Sequence, residues 1–275
     1  MTLKYKISFT GLGIVLLVVF LYFISLSNVS PEQGSSNMST RYWIMGSRVF
    51  DDMVSNAQSK DALINDTIYV IYSGNISLSS ASSNLHIVKT AYFTSEASLN
   101  RAVMDNTLPV GTQALLYDNE NWAETPANEK VNPVFYYKQA FALARSHNLL
   151  MIATPGNDSI DQQIAPYANV VDIQAQESQA SVSEYDNKVL PIANAIKKAN
   201  PSAIILSGLS TNPHAGVPTP NQLVDDARSV YGNVQGFWLN IPNKPANCTL
   251  KDTGGRCAGP QPQIGQQFLA QLGSK

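Results

Sequence analysis

From Tyr42 onward the chain alternates short apolar runs with longer amphipathic stretches, and this alternation limits the folds open to it more than any other feature. The short runs are "YWIMG" (42–46), "TIYVIY" (67–72), "LHIVKT" (85–90), "QALLYD" (113–118), "LLMIAT" (149–154), "NVVDIQAQ" (169–176), "AIILSG" (203–208) and "GFWLN" (236–240). Each is β-branched, aromatic or aliphatic, and most end at Gly, Asn, Asp, Ser or Pro, as strands do. Between the later runs the spacing turns helical: "PVFYYKQAFALARSHN" (133–148), "SEYDNKVLPIANAIKKAN" (183–200) and "PNQLVDDARSVYG" (220–232). A last helix, "QIGQQFLAQLG" (263–273), follows strand eight. Tyr136, Ala140 and Leu143 share one helical face, as do Val189, Ile192 and Ile196. Pro191 predicts a kink or a break in the second of these helices.

Eight strands, mostly followed by helices, predict an α/β fold: a (β/α)8 barrel of the TIM type over residues 41–275. About 235 residues are on hand for it, slightly below the ~250 typical of that barrel. The helices after strands two and three look short. The alternative is an open doubly wound sheet, but the chain carries no GxGxxG or GxxxxGK[ST] loop to bind a nucleotide there.

The N-terminus has a different character. Lys4 and Lys6 precede "ISFTGLGIVLLVVFLYFISLS", an uncharged, mainly apolar run of about 21 residues, long enough to span a bilayer. The lysines place its start on the inner side. Ser25-Leu26-Ser27 also offers a small-x-small cleavage site. Residues 1–27 are therefore a signal anchor or a signal peptide, the length favouring the anchor, and 28–40 ("NVSPEQGSSNMST") a polar linker. Either way the remainder is expected outside the cell, membrane-anchored or secreted. Cys248 and Cys257, the only cysteines, would close a Gly/Pro-rich loop by a disulfide in an oxidising compartment. Asn-x-Ser/Thr triplets at Asn28, Asn37, Asn65, Asn75, Asn157 and Asn247 permit glycosylation.

Several functions are disfavoured. With a net charge of -2 and 14% charged residues, the chain shows no basic stripe for nucleic acid. His86, His147 and His214 are scattered without a metal-ligand spacing, so neither a metal nor another cofactor is expected. No Gly-x-Ser-x-Gly elbow marks a serine hydrolase.

In a barrel of this kind, function sits at the carboxyl-terminal ends of the strands. Strand four runs into Asp118, Asn119, Glu120 and Trp122; strand five into Thr154 to Asp158; strand six carries Gln174 and Gln176, then Glu177; strand eight carries Trp238 and Asn240. Residues two apart share a strand face, so Ala114, Leu116, Asp118 and Glu120 align, as do Asp172, Gln174 and Gln176, and Gly236, Trp238 and Asn240. Two glutamines on an apolar strand need partners, which favours a ligand-facing role. Asp172, lower on that face, reads as structural. Glu124 and Glu129 read as exposed loop residues. Acids, amides and tryptophans meeting in one mouth suit a sugar, with rings stacked on aromatics and hydroxyls bonded by amides and carboxylates.

An Asp-x-Glu ending strand four, with a tryptophan on strand eight, resembles glycoside hydrolase family 18, the chitinases and endo-β-N-acetylglucosaminidases. That resemblance implies Glu120 as general acid and Asp118 as the residue orienting the substrate's N-acetyl group, which itself attacks the sugar carbon. It implies Trp238 as the floor of the pocket. The family pattern D-x-x-D-x-D-x-E reads Gln113, Leu116, Asp118, Glu120 here, and its strand-six tyrosine falls at Gln174 or Gln176. Asn119-Glu120 also resembles the Asn-Glu pair of the large retaining glycosidase clan, whose second glutamate on strand seven has no counterpart in "AIILSGLSTN". An inverting pair of Glu120 with Asp158 or Glu177 stays open. The expected partner is a glycan or cell-surface polysaccharide. The expectations to weigh are a glycosidase, a carbohydrate-binding protein without turnover on the same scaffold, and a surface structural domain.

Overall fold

Interior and exterior faces sort along every strand by the simple alternation of a pleated chain. The computed structural model describes residues 40–72, 74, 82–120, 122–244, 248 and 255–274. The apolar run and the linker up to residue 39 lie outside the described residues, as do the triplets at Asn28, Asn37, Asn75 and Asn247. Among the described residues no helix is long and apolar enough to cross a membrane.

The eight strands are β1 (Tyr42–Gly46), β2 (Thr67–Tyr72), β3 (His86–Phe93), β4 (Ala114–Tyr117), β5 (Leu150–Ala153), β6 (Val170–Ile173), β7 (Ile204–Ser210) and β8 (Gly236–Asn240). They form a closed barrel in sequence order, and β1 pairs in parallel with β8 to seal it. Ile44, Tyr69, Val88, Ala114, Leu116, Ile152, Val170 and Leu206 point inward and fill the barrel. Their neighbours, among them Trp43, Ile68, Leu115, Met151, Val171, Ile205 and Phe237, point outward against the helices. Closure needs one very close approach: a Cβ on Gly236 would lie 1.8 Å from the Tyr42 carbonyl oxygen.

The helices are α1 (Ser47–Val54), α2 (Ala57–Asp61), α3 (Glu96–Met104), α4 (Ala127–Val131), α5 (Pro133–Ser146), α6 (Asp161–Ile164), α7 (Val182–Ala199), α8 (Pro220–Val230) and α9 (Pro262–Gly273). Their starts follow ordinary capping chemistry. The Ser181 side chain accepts from the Glu184 N–H, and Thr219 forms a capping box with Gln222. Of the kink or break expected at Pro191, the break does not occur: α7 runs unbroken through it. Pro191 is on its exposed face, where water can serve the carbonyl that lost its donor.

At the amino-terminal end, Arg41 ties the barrel together. It pairs with Asp66 at 3.0 Å and donates to the carbonyls of Ala62 and Leu272, while Trp43 Nε1 reaches Asp66 at 2.8 Å. Conserving shape at this end leaves the other mouth for chemistry. Cys248 and Cys257 are disulfide-bonded, as expected. Asn65 and Asn157 are exposed, the latter using its side chain to cap Ser159.

Candidate active site at the carboxyl-terminal mouth

β4 sends Ala114 and Leu116 inward, and Asp118 continues the row one residue past the strand. The ladder itself continues that far, because the Asp118 N–H donates to the Phe93 carbonyl at 2.8 Å. Asp118 is only 3% exposed. Its Oδ2 accepts from the Tyr92 hydroxyl at 2.6 Å and from Trp122 Nε1 at 3.2 Å. The Thr154 hydroxyl beside it helps hold its charge, although its directed bond goes to the Tyr117 carbonyl at 3.3 Å. Burial raises the Asp118 pKa, and the Tyr92 and Trp122 donors oppose that rise. Trp122 is 42% exposed, so an indole tethered to the buried acid also faces solvent.

Asn119 turns the other way. Its Nδ2 donates to the Tyr117 hydroxyl at 2.7 Å and to the Glu129 carbonyl at 3.2 Å, behind the sheet. Those bonds withdraw Asn119 from the mouth. Glu120 returns to the mouth, half-buried. Gly156, after β5, gives it room: a Cβ there would sit 2.8 Å from Glu120 Cγ. The Glu120 charge helps raise the pKa values of Tyr92 and Asp172 on the interior side and of Tyr137 behind β4.

β6 contributes Asp172, fully buried, whose Oδ2 accepts from Gln174 Nε2 at 3.2 Å. Burial drives the Asp172 pKa well above the carboxylate range, with Asp118, Asp161 and Glu120 adding repulsion. Gln174 is half-buried at the rim of this row. Gln176 departs from the expectation, because β6 ends at Ile173 and Gln176 opens a one-turn 3-10 helix. Its side chain instead lies in the space that Gly208 of β7 leaves, where a Cβ would meet the amide at 2.4 Å. Trp238 is half-buried and packs on the interior cluster between Ile44 and Gly208 in register. Asn240 follows it, in register with Ser210.

The other two acids point elsewhere. Asp158 is exposed and ion-paired with Lys188 of α7. Glu177 is exposed, accepts the His214 N–H at 3.2 Å and faces the His214 ring at 3.9 Å. Glu129, expected in an exposed loop, is 1% exposed. It accepts from the N–H groups of Glu96 and Ala97 at the start of α3, at 2.7 and 3.1 Å, and from the Tyr117 hydroxyl at 2.6 Å. Burial follows because those first-turn donors lack helical partners and a carboxylate satisfies them.

Tyr92 is the site residue that the sequence reading missed. Its signal was present: Val88, Thr90 and Tyr92 alternate, but β3 runs three residues beyond the apolar "LHIVKT". Tyr92 also lines a cavity of about 350 Å³ with Tyr72, Phe93, Leu108 and Val110. Among the described residues no cluster of His, Cys, Asp or Glu could hold a metal ion.

Fold and mouth together define a TIM-type (β/α)8 barrel whose carboxyl-terminal end presents Asp118, Glu120, Tyr92 and two tryptophans. No protein-family model matches the chain, and no curated protein matches it in sequence. Among solved structures, it is similar to the spore cortex-lytic enzyme SleL of Bacillus megaterium QM B1551, with 9% identity, a TM-score of 0.52, and coverage of 88% of this chain and 76% of that one. A chitinase from Chromobacterium violaceum matches at 10% identity and TM-score 0.48, over 85% of this chain and 99% of that one. A putative fructose-1,6-biphosphate aldolase from Coccidioides immitis matches at 11% identity and TM-score 0.48, over 85% and 88%. At these identities the likeness is one of fold, and the fold hosts unrelated chemistries.

Proposed function

We propose that the protein is an extracellular glycoside hydrolase-like barrel, tethered by its N-terminal apolar run, that acts on a glycan or cell-surface polysaccharide. The observation that carries this reading is the state of Asp118: buried, held through Oδ2 by Tyr92 and Trp122, and two residues from Glu120 over the same interior. Glu120 protonates the glycosidic oxygen. Asp118, kept in one orientation by its two donors, holds the N–H of an N-acetyl group, whose carbonyl oxygen attacks the anomeric carbon as the leaving group departs with the proton. Water then opens the cyclic intermediate, with Glu120 taking back a proton. This is the substrate-assisted route. It suits a mouth in which Asp158 is engaged by Lys188 and Glu177 by His214. Trp238 and Trp122 offer ring faces, and Gln174, Gln176 and Asn240 offer amides.

A second reading, a carbohydrate-binding protein without turnover, draws support from Leu116, an aliphatic residue packed inside the barrel where the resembling family carries an acid. One experiment separates the two. The full-length protein and Glu120→Gln are incubated with N-acetylhexosamine and neutral glycans, and products are read by mass spectrometry. Cleavage lost in the variant supports the hydrolase. Binding retained by both proteins without products supports the lectin. A protein that neither cleaves nor binds any glycan of the panel is the surface structural domain.

A further inference from the structure

Among the described residues five buried carboxyl oxygens find no directed hydrogen bond, and two of them, Oδ1 of Asp118 and Oδ1 of Asp172, belong to residues on the inward face of the sheet. They belong to one row. β4 pairs Leu116 with Ile152, and β5 pairs Ile152 with Val170. Two residues further on, the same row reads Asp118, Thr154, Asp172. Only one strand separates the acids, so their Cα atoms lie about 10 Å apart, with side chains converging toward the barrel axis.

We propose that Asp172 is a positioning residue for Asp118: it keeps a proton beneath the mouth so that Asp118 alone carries the negative charge that orients the substrate. This rests on the role given to Asp118 above. The charges that bear on Asp172 are Asp118 and Glu120 from the end of β4 and Asp161 from α6, all acidic, and Asp172 in turn bears on Tyr185 of α7, a phenol held neutral by burial. Lys188 pairs with Asp158 and bears on Asp161 instead. Among the described residues neither acid forms an ion pair, and burial, helped by the charge on Asp118, opposes a second ionisation at Asp172. The donors decide which of the two ionises. Asp118 receives the Tyr92 hydroxyl and the Trp122 indole N–H, which stabilise its charged form. Asp172 receives a single bond from the neutral Gln174 amide and has no exposed surface. The proton therefore stays on Asp172. Were it lost, a second charge would face Asp118 and draw a proton onto it, and Asp118 could no longer accept the substrate's N–H in the same state.

Thermal unfolding against pH tests this without any glycan, using the full-length protein. A carboxyl group that is protonated in the fold but ionised when unfolded costs stability as pH rises. The loss begins near the unfolded value of about 4 and ends where the group ionises in the barrel. In wild type this contributes a fall of about 3 °C per pH unit across that window. Asp172→Asn, which cannot ionise, should lose that part of the slope. An unchanged slope overturns the proposal. Should Asp172→Asn fail to fold, Asp118→Asn serves: without its charged neighbour, Asp172 should ionise at least one pH unit lower, and an unmoved profile overturns the proposal equally. The positioning role has its own readout in the pH profile of cleavage of an N-acetylglucosamine hexamer. Asp172→Asn, a permanently neutral stand-in for the protonated acid, should keep kcat and leave the acid limb, which reports Asp118, in place; an acid limb that moves down by one pH unit or more would show Asp172 charged beside Asp118 and overturn the proposal. A lost melting slope with no cleavage by wild type would overturn the hydrolase reading while upholding the proton on Asp172; cleavage with a shifted acid limb would do the reverse.

Discussion

Replacing Glu129 with alanine should do more damage than any change at the acids that line the mouth, although Glu129 touches no substrate. Its carboxylate answers three donors, the buried Glu96 N–H and Tyr117 hydroxyl and the partly buried Ala97 N–H. Each hydrogen bond to a charged group is worth roughly 1.5–3 kcal/mol, and a truncated partner leaves buried donors unpaired. Water entering the vacated space recovers part of this, so the expected cost is roughly 3–5 kcal/mol. For a barrel of this size that lowers Tm by about 10 °C. Glu129→Gln preserves the shape and one acceptor oxygen, and should cost about 1–2 kcal/mol. The consequence reaches the site. The Tyr117 hydroxyl that donates to Glu129 also accepts from Asn119, so the loop bearing Asp118 and Glu120 loses an anchor on its outer side. Urea melts and calorimetry of the wild type and both variants at pH 7 provide the check. If alanine and glutamine destabilise equally, or if alanine costs less than about 1 kcal/mol, the carboxylate is not the keystone described here.

Two glycines should part company. Gly236→Ala must drive a Cβ into the Tyr42 backbone at the β1–β8 seam, and should cost at least about 3 kcal/mol in melts. Gly208→Ala meets only the movable end of Gln176, so the barrel should melt within about 1 kcal/mol of wild type while sugar binding, read by calorimetry, weakens severalfold. Asp161 offers a second pH signature. Burial and the nearby Asp158 push its pKa up to about 8, against the opposing charge of Lys188. The folded state then holds a proton that the unfolded chain releases near pH 4, so stability falls from there up to about pH 8 and levels off above. Asp161→Asn should flatten that part of the curve, and a variant with the same pH dependence as wild type would refute the assignment.

The barrel was legible because each strand is an apolar run of its own, and eight of them separated by helical spacing admit few arrangements. The strand ends were not, because an end is set by the neighbour. β3 continues to Phe93 only because Tyr72 of β2 pairs with Ala91 and Tyr117 of β4 pairs with Phe93. That extension is what brings Tyr92 to Asp118; the alternation of Val88, Thr90 and Tyr92 hints at it, but the polar end of "AYFTSE" hides how far the strand runs. Glu129 was read as exposed for a related reason. Its partners on α3 lie more than thirty residues earlier in the chain, and local polarity says nothing about them.

The four acids that follow strands four to six look alike in sequence, yet Asp118 is sunk in the mouth while Asp158 and Glu177 turn out to Lys188 and His214. Alternation along a strand predicts a direction only while the hydrogen-bonded ladder persists. Asp118 stays in phase because its own N–H still bonds to Phe93. Gln176 loses phase because the chain has already turned into a 3-10 helix, and it recovers a place at the mouth only through the gap at Gly208. Asp172, well inside β6, keeps the phase without interruption, which is why a lone acid in "NVVDIQAQ" had to point into the barrel. What the sequence could not supply was its neighbour across β5. The chemistry of Asp172 comes from that cross-strand relation, since an isolated buried acid would be only a structural oddity, whereas one in the same row as Asp118 sets which of the two carries the charge.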